Sequence, residues 1–317
     1  MPVDNSSEIY VRGNWVRVPA LAVDSKTIVV SGSRLKIASI RSEEWLETDL
    51  EDPERCVKML KEQRAHGLRA DIFTFTQKPP ATSPKYKYPV EWDSVAVARL
   101  PSFKEWWESL PQESRKNTRR SQKRGVVIAV RPFDDDLISG LVTLNNDNPV
   151  RQGRRNAQFG KTFDQVKKDY SSFQDRSDFI CAYFEDELIG FLKIVYRGKV
   201  ASILNLTPSV RHFDKRPTNA LVTKAFERCA EKGVSYVTYG LFNYGNKRDS
   251  PLREFKIRNG FEEMLMPRYY VPLTSWGKLC MKAKFHRGLL GILPHNVIML
   301  GINLRAKWYS LNQPSNQ

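Results

Sequence analysis

Two spacings of apolar residues alternate along the chain and sort it into strands and helices. The runs 27–31 and 35–40, joined at Gly32-Ser33, predict a hairpin. Asp52-Pro53 then opens a helix carrying Val57, Leu60 and Arg64 until His66-Gly67 ends it. Residues 71–76 read as a strand, with Ile72 and Thr74 alternating against Phe73 and Phe75. The proline- and lysine-rich stretch 77–89 is the longest irregular segment, either a disordered connection or a mobile lid. After a strand at 95–100, residues 103–110 look helical, and the run SRKNTRRSQKRG continues that helix to Gly125. In this run Arg115, Arg119 and Lys123 share one face, and Lys116, Arg120 and Arg124 form the adjacent stripe.

In the second half the period changes twice. A strand at 126–130 precedes an amphipathic helix at 134–145, with Leu137, Leu141 and Leu144 at helical spacing. Three runs at 179–184, 188–196 and 200–206, separated by Glu185-Asp186 and Arg197-Gly198-Lys199, make an antiparallel meander. A helix at 217–232 shows an apolar stripe of Leu221, Ala225 and Cys229 beside Val222, Phe226 and Ala230, and Gly233 ends it. A strand at 234–239, a Gly- and Asn-containing loop, a short helix at 251–259, a stop at Gly260 and a strand at 264–271 complete the pattern.

Composition narrows the class without choosing a function. At 317 residues, 41% hydrophobic and 27% charged, the chain is long enough for two domains and too apolar for disorder along its length. No uninterrupted apolar run reaches the roughly 18 residues of a membrane span. The N-terminus has no basic start followed by an apolar stretch and a small-residue cleavage site, so a cytoplasmic protein is expected. Cys56, Cys181, Cys229 and Cys280 stand far apart with no CxxC pair and no His at metal spacing, which predicts buried reduced thiols and no metal.

The net charge of +16 is unevenly spread. Residues 114–133 hold seven cations and no acid, 151–168 hold six cations against Asp164 alone, and 264–317 hold seven cations and no acid. A near-neutral body thus carries basic patches, which suit a polyanion: nucleic acid, an anionic membrane surface, an acidic carrier protein or a pyrophosphate-bearing molecule.

The order of elements resembles the GNAT acyltransferase fold, and four segments are similar to its FemAB-like branch. SRKNTRRSQKRG resembles the basic helix opening the catalytic half, and ELIGFLKIVY the strand after the sheet hairpin. RPTNALVTKAFERCAEKGVSYVTYG resembles the branch's helix and following strand, and LREFKIRNGF its terminal Phe-Lys helix with Gly-Phe. The resemblance implies an α/β (α+β) protein with a mixed, mostly antiparallel sheet flanked by helices. Its expected parts are an N-terminal α/β region at 1–98, for which a degenerate GNAT-like half is one reading, an acyltransferase domain at 99–273 and a basic amphipathic helical extension at 274–317. It further implies an N-acyltransferase moving an activated acyl or aminoacyl group to an amine acceptor by direct attack in a ternary complex. Acyl-CoA, an acyl carrier protein or aminoacyl-tRNA would be the co-substrate, with no tightly bound cofactor.

One departure bears on the donor. Acyl-CoA enzymes of this fold place a glycine-rich loop before the long helix, where bare backbone N–H groups cradle pyrophosphate. Here that stretch is VRHFDKRPTNA, without glycine, so Arg211, Lys215 and Arg216 would bind phosphate by side chain. With Asn205, Leu206, Thr218 and Asn219 they form the expected donor-binding set.

For catalysis the resemblance points to Lys256, the lysine of the Phe-Lys pair, as the group stabilising charge on the donor or the tetrahedral intermediate. The plain alternative is a solvated helix cation. Tyr244 either donates a proton to the leaving group or packs in its loop, and Asp249 and Glu254 either accept the amine's proton or serve helix ends. Arg119, Arg120 and Lys123, with Phe255, are candidates for gripping the acceptor or a polyanion. His66, His212, His286 and His295 have no partner at triad or metal spacing. The acid-free stretch KLCMKAKFHRGLLGILPHNVIMLGINLRAKWY either packs on the body as extra helices or lies peripherally at the inner face of a membrane. Two rivals to the enzyme follow from these patches: a non-catalytic nucleic-acid-binding protein on the same scaffold, and a membrane-surface interaction protein.

Overall fold

The computed structural model describes residues 6–41, 49–147, 149–151, 154–243 and 250–288. Within these the chain folds as two compact units, one from residues 6–94 and 264–288 and one from residues 95–263.

The first unit begins with β1 (Ser6–Val11) and β2 (Asn14–Val23), a hairpin that sequence patterning did not single out. The expected hairpin follows as β3 (Lys26–Ser31) and β4 (Ile37–Ile40). The helix α1 (Pro53–Gln63) begins at Asp52, whose carboxylate accepts from Arg55 N, and the chain leaves its following 3-10 turn through Gly67 in the left-handed region. β5 (Ile72–Thr76) then pairs in parallel with β4. The strand β6 (Val90–Arg99) carries the chain into the second unit, and β14 (Glu262–Pro272) brings it back to pair antiparallel with β5.

The second unit contains α2 (Phe103–Ser109), α3 (Gln112–Lys123), β7 (Val127–Arg131) and α4 (Asp135–Asn146). After the two-residue strands β8 (Val150–Arg151) and β9 (Arg154–Arg155) comes α5 (Phe163–Tyr170), closed at its start by a Thr162–Gln165 capping box. The meander β10 (Ser177–Phe184), β11 (Glu187–Arg197), β12 (Val200–Pro208) leads to α6 (Pro217–Glu231), β13 (Tyr236–Leu241) and α7 (Pro251–Arg258). α8 (Ser275–Lys282) follows β14 in the first unit. The mixed, mostly antiparallel sheet flanked by helices is therefore present as expected.

Both units share one topology. Each runs an antiparallel meander into a helix and then a strand parallel to the last of the meander: β4, α1, β5 in the first and β12, α6, β13 in the second. The closing strands are exchanged, because β6 leaves β5 to pair with β13 while β14 leaves α7 to pair with β5. In the second unit α6 lies close on the sheet at Gly190, where an added Cβ would come within 3.0 Å of Leu221 and 3.3 Å of Pro217. Leu221, Val222, Ala225, Phe226 and Cys229 of α6 are buried there, and the Phe226 ring stacks on Trp106 of α2 at 3.9 Å.

Two expectations need correcting. The basic run does not continue the helix before it: Leu110 turns extended ahead of Pro111, so α2 ends and α3 starts afresh. The segment 77–89 is not a loose connection. Gln77 is buried, donates from Nε2 to the carbonyls of Ala81 (2.8 Å) and Ser83 (2.9 Å), and accepts from Lys85 N and from the Tyr269 hydroxyl. That hydroxyl in turn accepts from Lys85 N at 2.8 Å, and Phe75, Tyr86 and Tyr269 pack ring against ring. All four cysteines are buried and unpaired, and loss of water pushes the Cys56 thiol up to about 11.

Candidate active site

The two parallel strands of the second unit stay together over three residue pairs only, Val200 to Ser202 against Tyr236 to Thr238. At the last pair the hydroxyls of Ser202 and Thr238 hydrogen-bond to each other, and beyond it the strands part. A bulge adds to the divergence. β11 matches Lys193 to Asn205 but Ile194 to Ile203, so Leu204 is an extra residue that turns β12 locally. The backbone of β12 from Ile203 onward is thus released from β13, with Asn205 half-buried and Leu206 in the core.

In the first unit β4 and β5 likewise pair over three residues, Ile37–Ser39 against Ile72–Thr74, but the helix after the meander has its first turn capped by the Asp52 carboxylate. α6 starts differently: Arg216 is in the left-handed region (φ 57°), Pro217 is the first helical residue, and no side chain caps the turn. Pro217 has no N–H and Asn219 N donates to the Arg216 carbonyl (3.2 Å), so what this start offers an anion is its positive dipole end.

At this open end lies a cavity of about 230 Å³ between α3, α6 and α7. Arg216, Thr218, Asn219 and Phe255 of the expected set line it, joined by Glu113 and Arg258, which sequence reasoning missed. α3 is held against α7 by Ser114 Oγ donating to the Arg258 carbonyl (2.7 Å) and against α6 by a Thr118–Thr223 hydroxyl pair (3.1 Å).

Lys256 sits on α7 beside Phe255 and is fully buried, which overturns the solvated-cation alternative. Its ammonium donates to the carbonyl of Leu241 at the end of β13 and lies 4.9 Å from the centre of the Tyr239 ring. Burial pushes its pKa down from 10.5 to about 8. A lysine held near that value can serve as a cation or as a neutral amine close to neutrality.

The other expected residues are distributed more widely. Arg211 binds Asp147 and Glu187, and the Asp147 carboxylate also accepts from Ser209 Oγ. With His212 Nε2 at 3.1 Å from Glu187, these contacts pin the loop before α6. The Lys215 ammonium lies 3.8 Å from the centre of the Phe184 ring. On α3, Arg119 and Lys123 are exposed, whereas Arg120 is tied to Glu113 at 2.9 Å. Glu254 pairs with Arg258 one turn on. Tyr244 and Asp249 lie outside the described residues, as does most of the extension from 289 onward. Among the described residues no group of three or more His, Cys, Asp or Glu could hold a metal ion, and no helix is long and apolar enough to cross a membrane.

No protein-family model matches the sequence, and no curated protein matches it. Solved structures do match. A C-terminal domain assigned to lysylphosphatidylglycerol synthetase from Agrobacterium fabrum superposes with a TM-score of 0.54 at 14% identity, over 84% of this chain and 88% of that one. FemX superposes with a TM-score of 0.54 at 10% identity, over 78% and 86%. L-PGS from Bacillus licheniformis gives 0.53 at 15% identity, over 80% and 83%. At these identities the likeness establishes the fold alone, an architecture shared with FemX and the two synthetase structures.

Proposed function

We propose that this chain uses its GNAT-type fold to catalyse acyl transfer, passing an activated acyl or aminoacyl group to an amine acceptor by direct attack in a ternary complex. The observation that carries this reading is the parting of β12 from β13 beside an α6 whose first turn no side chain caps, whereas α1 of the first unit is capped by Asp52.

A released strand edge offers backbone N–H and C=O groups that align an extended donor, and the open end of α6 with Arg216 suits the donor's phosphate. Arg216, Thr218 and Asn219, lining one cavity, are the donor-binding core of this reading. Asn205 and Leu206 supply the β12 edge. Arg211 acts on the donor through the loop it pins, and Lys215 supports the same loop. Phe255 shapes the cavity wall, and Arg119, Arg120 and Lys123 form a cationic face for a bulky acceptor or carrier.

In the transfer the amine nitrogen forms a C–N bond to the acyl carbon. The C–S or C–O bond to the carrier then breaks, and the amine's proton ends on the departing thiol or hydroxyl. Lys256 in its charged form stabilises negative charge as it develops on the donor, and Tyr244 relays the proton, giving one to the leaving group and taking up the one the amine releases. The donor is acyl-CoA, an acyl carrier protein or aminoacyl-tRNA, and no step uses a metal.

Binding of each donor class to the purified chain at two salt concentrations tests this reading. Saturable binding of one donor that is weakened by Arg216→Ala supports it. Binding to nucleic acid regardless of acylation, falling steeply with salt, would replace it with a non-catalytic nucleic-acid-binding protein.

A further inference from the structure

The first unit presents an apolar and basic face that acyl transfer does not use. α8 lies flat on the unit through Gly277 and the buried Cys280. A Cβ at Gly277 would stand 2.0 Å from the Asp71 carbonyl oxygen, so only glycine allows this approach. Both ends are fastened. Thr274 Oγ1 donates to Asp71 Oδ1 (3.0 Å) and accepts from Gly277 N (2.9 Å), while past the helix His286 Nε2 lies 2.8 Å from Glu91 Oε1 and Arg287 grips the same carboxylate. The His286 ring also meets Tyr270 edge-on at 4.7 Å.

What this fixed segment shows to solvent is unusual in two ways. Leu279 is 56% exposed and Phe285 57%, with Trp276 at 45% although its indole N–H donates to the Arg34 carbonyl. Around them Lys278, Lys282 and Lys284 are exposed, and among the described residues none of the three makes an ion pair. The sequence from 264 to 317 offers them no acid.

We propose that this face docks the protein on an anionic lipid surface. Its three unopposed lysines require a negatively charged partner, and its protruding Leu279 and Phe285 require an apolar one. The boundary between headgroups and acyl chains meets both requirements, since long lysine side chains reach the headgroups while the apolar chains enter beneath them. Nucleic acid meets the first requirement and gives Leu279 nothing to enter. Because α8 is fastened at both ends, the surface is formed before contact, and docking orders little further chain.

Co-sedimentation of the full chain with phosphatidylcholine vesicles, with and without phosphatidylglycerol, tests this. The expected result is binding to the anionic vesicles that weakens with salt, and much weaker binding to phosphatidylcholine alone. Each lysine near an anionic surface is worth about fivefold in partition. The triple variant Lys278→Glu, Lys282→Glu, Lys284→Glu should therefore lose at least about tenfold, as should Leu279→Ser with Phe285→Ser. All five side chains are exposed, so the melting temperature stays at the wild-type value, and Lys58→Glu on α1 leaves vesicle binding unchanged. Absence of binding to anionic vesicles, equal binding to both vesicle types, or wild-type binding by both variants overturns the proposal.

Discussion

The buried ammonium of Lys256 donates to the carbonyl of Leu241, linking the helix after the parted strands to the end of one of those strands. A cation held this way has no water to weaken its field. Lys256→Met keeps the length and removes the charge. The expected outcome is a transfer rate lower by about 100-fold or more, with donor affinity changed far less. Steady-state kinetics with a circular-dichroism melt of the same variant check this, and an unaltered rate in a folded variant would remove Lys256 from the chemistry.

Burial of Lys256 also makes stability depend on pH in one direction. The folded value is about 8 and the unfolded value 10.5, so between them the unfolded chain binds more protons than the folded one. This lysine's contribution to stability therefore rises as pH rises through that window and is least favourable below it. Denaturant titrations at pH 7.5, 9 and 10.5, with the pH values chosen to span about that range, should show a gain in the wild type that is reduced in Lys256→Met. A parallel pH dependence in both chains would contradict this assignment.

Arg216 and Arg211 are close in sequence and differ in surroundings. Arg216 lines the cavity at the start of α6, whereas Arg211 is committed to Asp147 and Glu187. Arg216→Ala is expected to weaken donor binding by about tenfold with little effect on melting. Arg211→Ala is expected to lower the melting temperature by on the order of 2 °C and to affect the donor only through the loosened loop. Isothermal titration and a thermal melt on each variant separate the two roles.

Tyr269 organises the segment 77–89 in the first unit, its hydroxyl accepting from Lys85 N and donating to Gln77. Tyr269→Phe keeps the ring packing and leaves Gln77 Oε1 and Lys85 N with one partner fewer. A loss of about 1–3 kcal/mol is expected in urea denaturation. Faster proteolysis within 77–89 should accompany it.

The fold was readable wherever period and punctuation agreed. Gly233, Gly260 and the Asp52-Pro53 start marked helix ends that the structure keeps within a few residues. The hairpin of β1 and β2 escaped because its alternation is masked by exposed Tyr10, Val11 and Val16. The break between α2 and α3 was signalled by Pro111, which the continuous run of good helix formers concealed. Around the site, Arg216, Thr218, Asn219 and Phe255 line one cavity because they border one helix start and one facing helix. Glu113 and Arg258 were invisible, since nothing local marks which turn of a helix will face another helix distant in sequence. The burial of Lys256 was equally hidden: its neighbours Glu254 and Arg258 are exposed, and only the tertiary placement of β13 encloses it.

The most direct test of acyl transfer is product mass. The purified chain would be incubated with acetyl-CoA, a long-chain acyl-CoA, a loaded acyl carrier protein or charged tRNA, each with a panel of primary amines, and the mixtures analysed by mass spectrometry. The expected result is one donor that yields an amide whose rate of formation falls in Lys256→Met and whose donor dependence weakens in Arg216→Ala. Formation of no amide from any donor, while RNA binds irrespective of acylation and the binding drops steeply with salt, would contradict it.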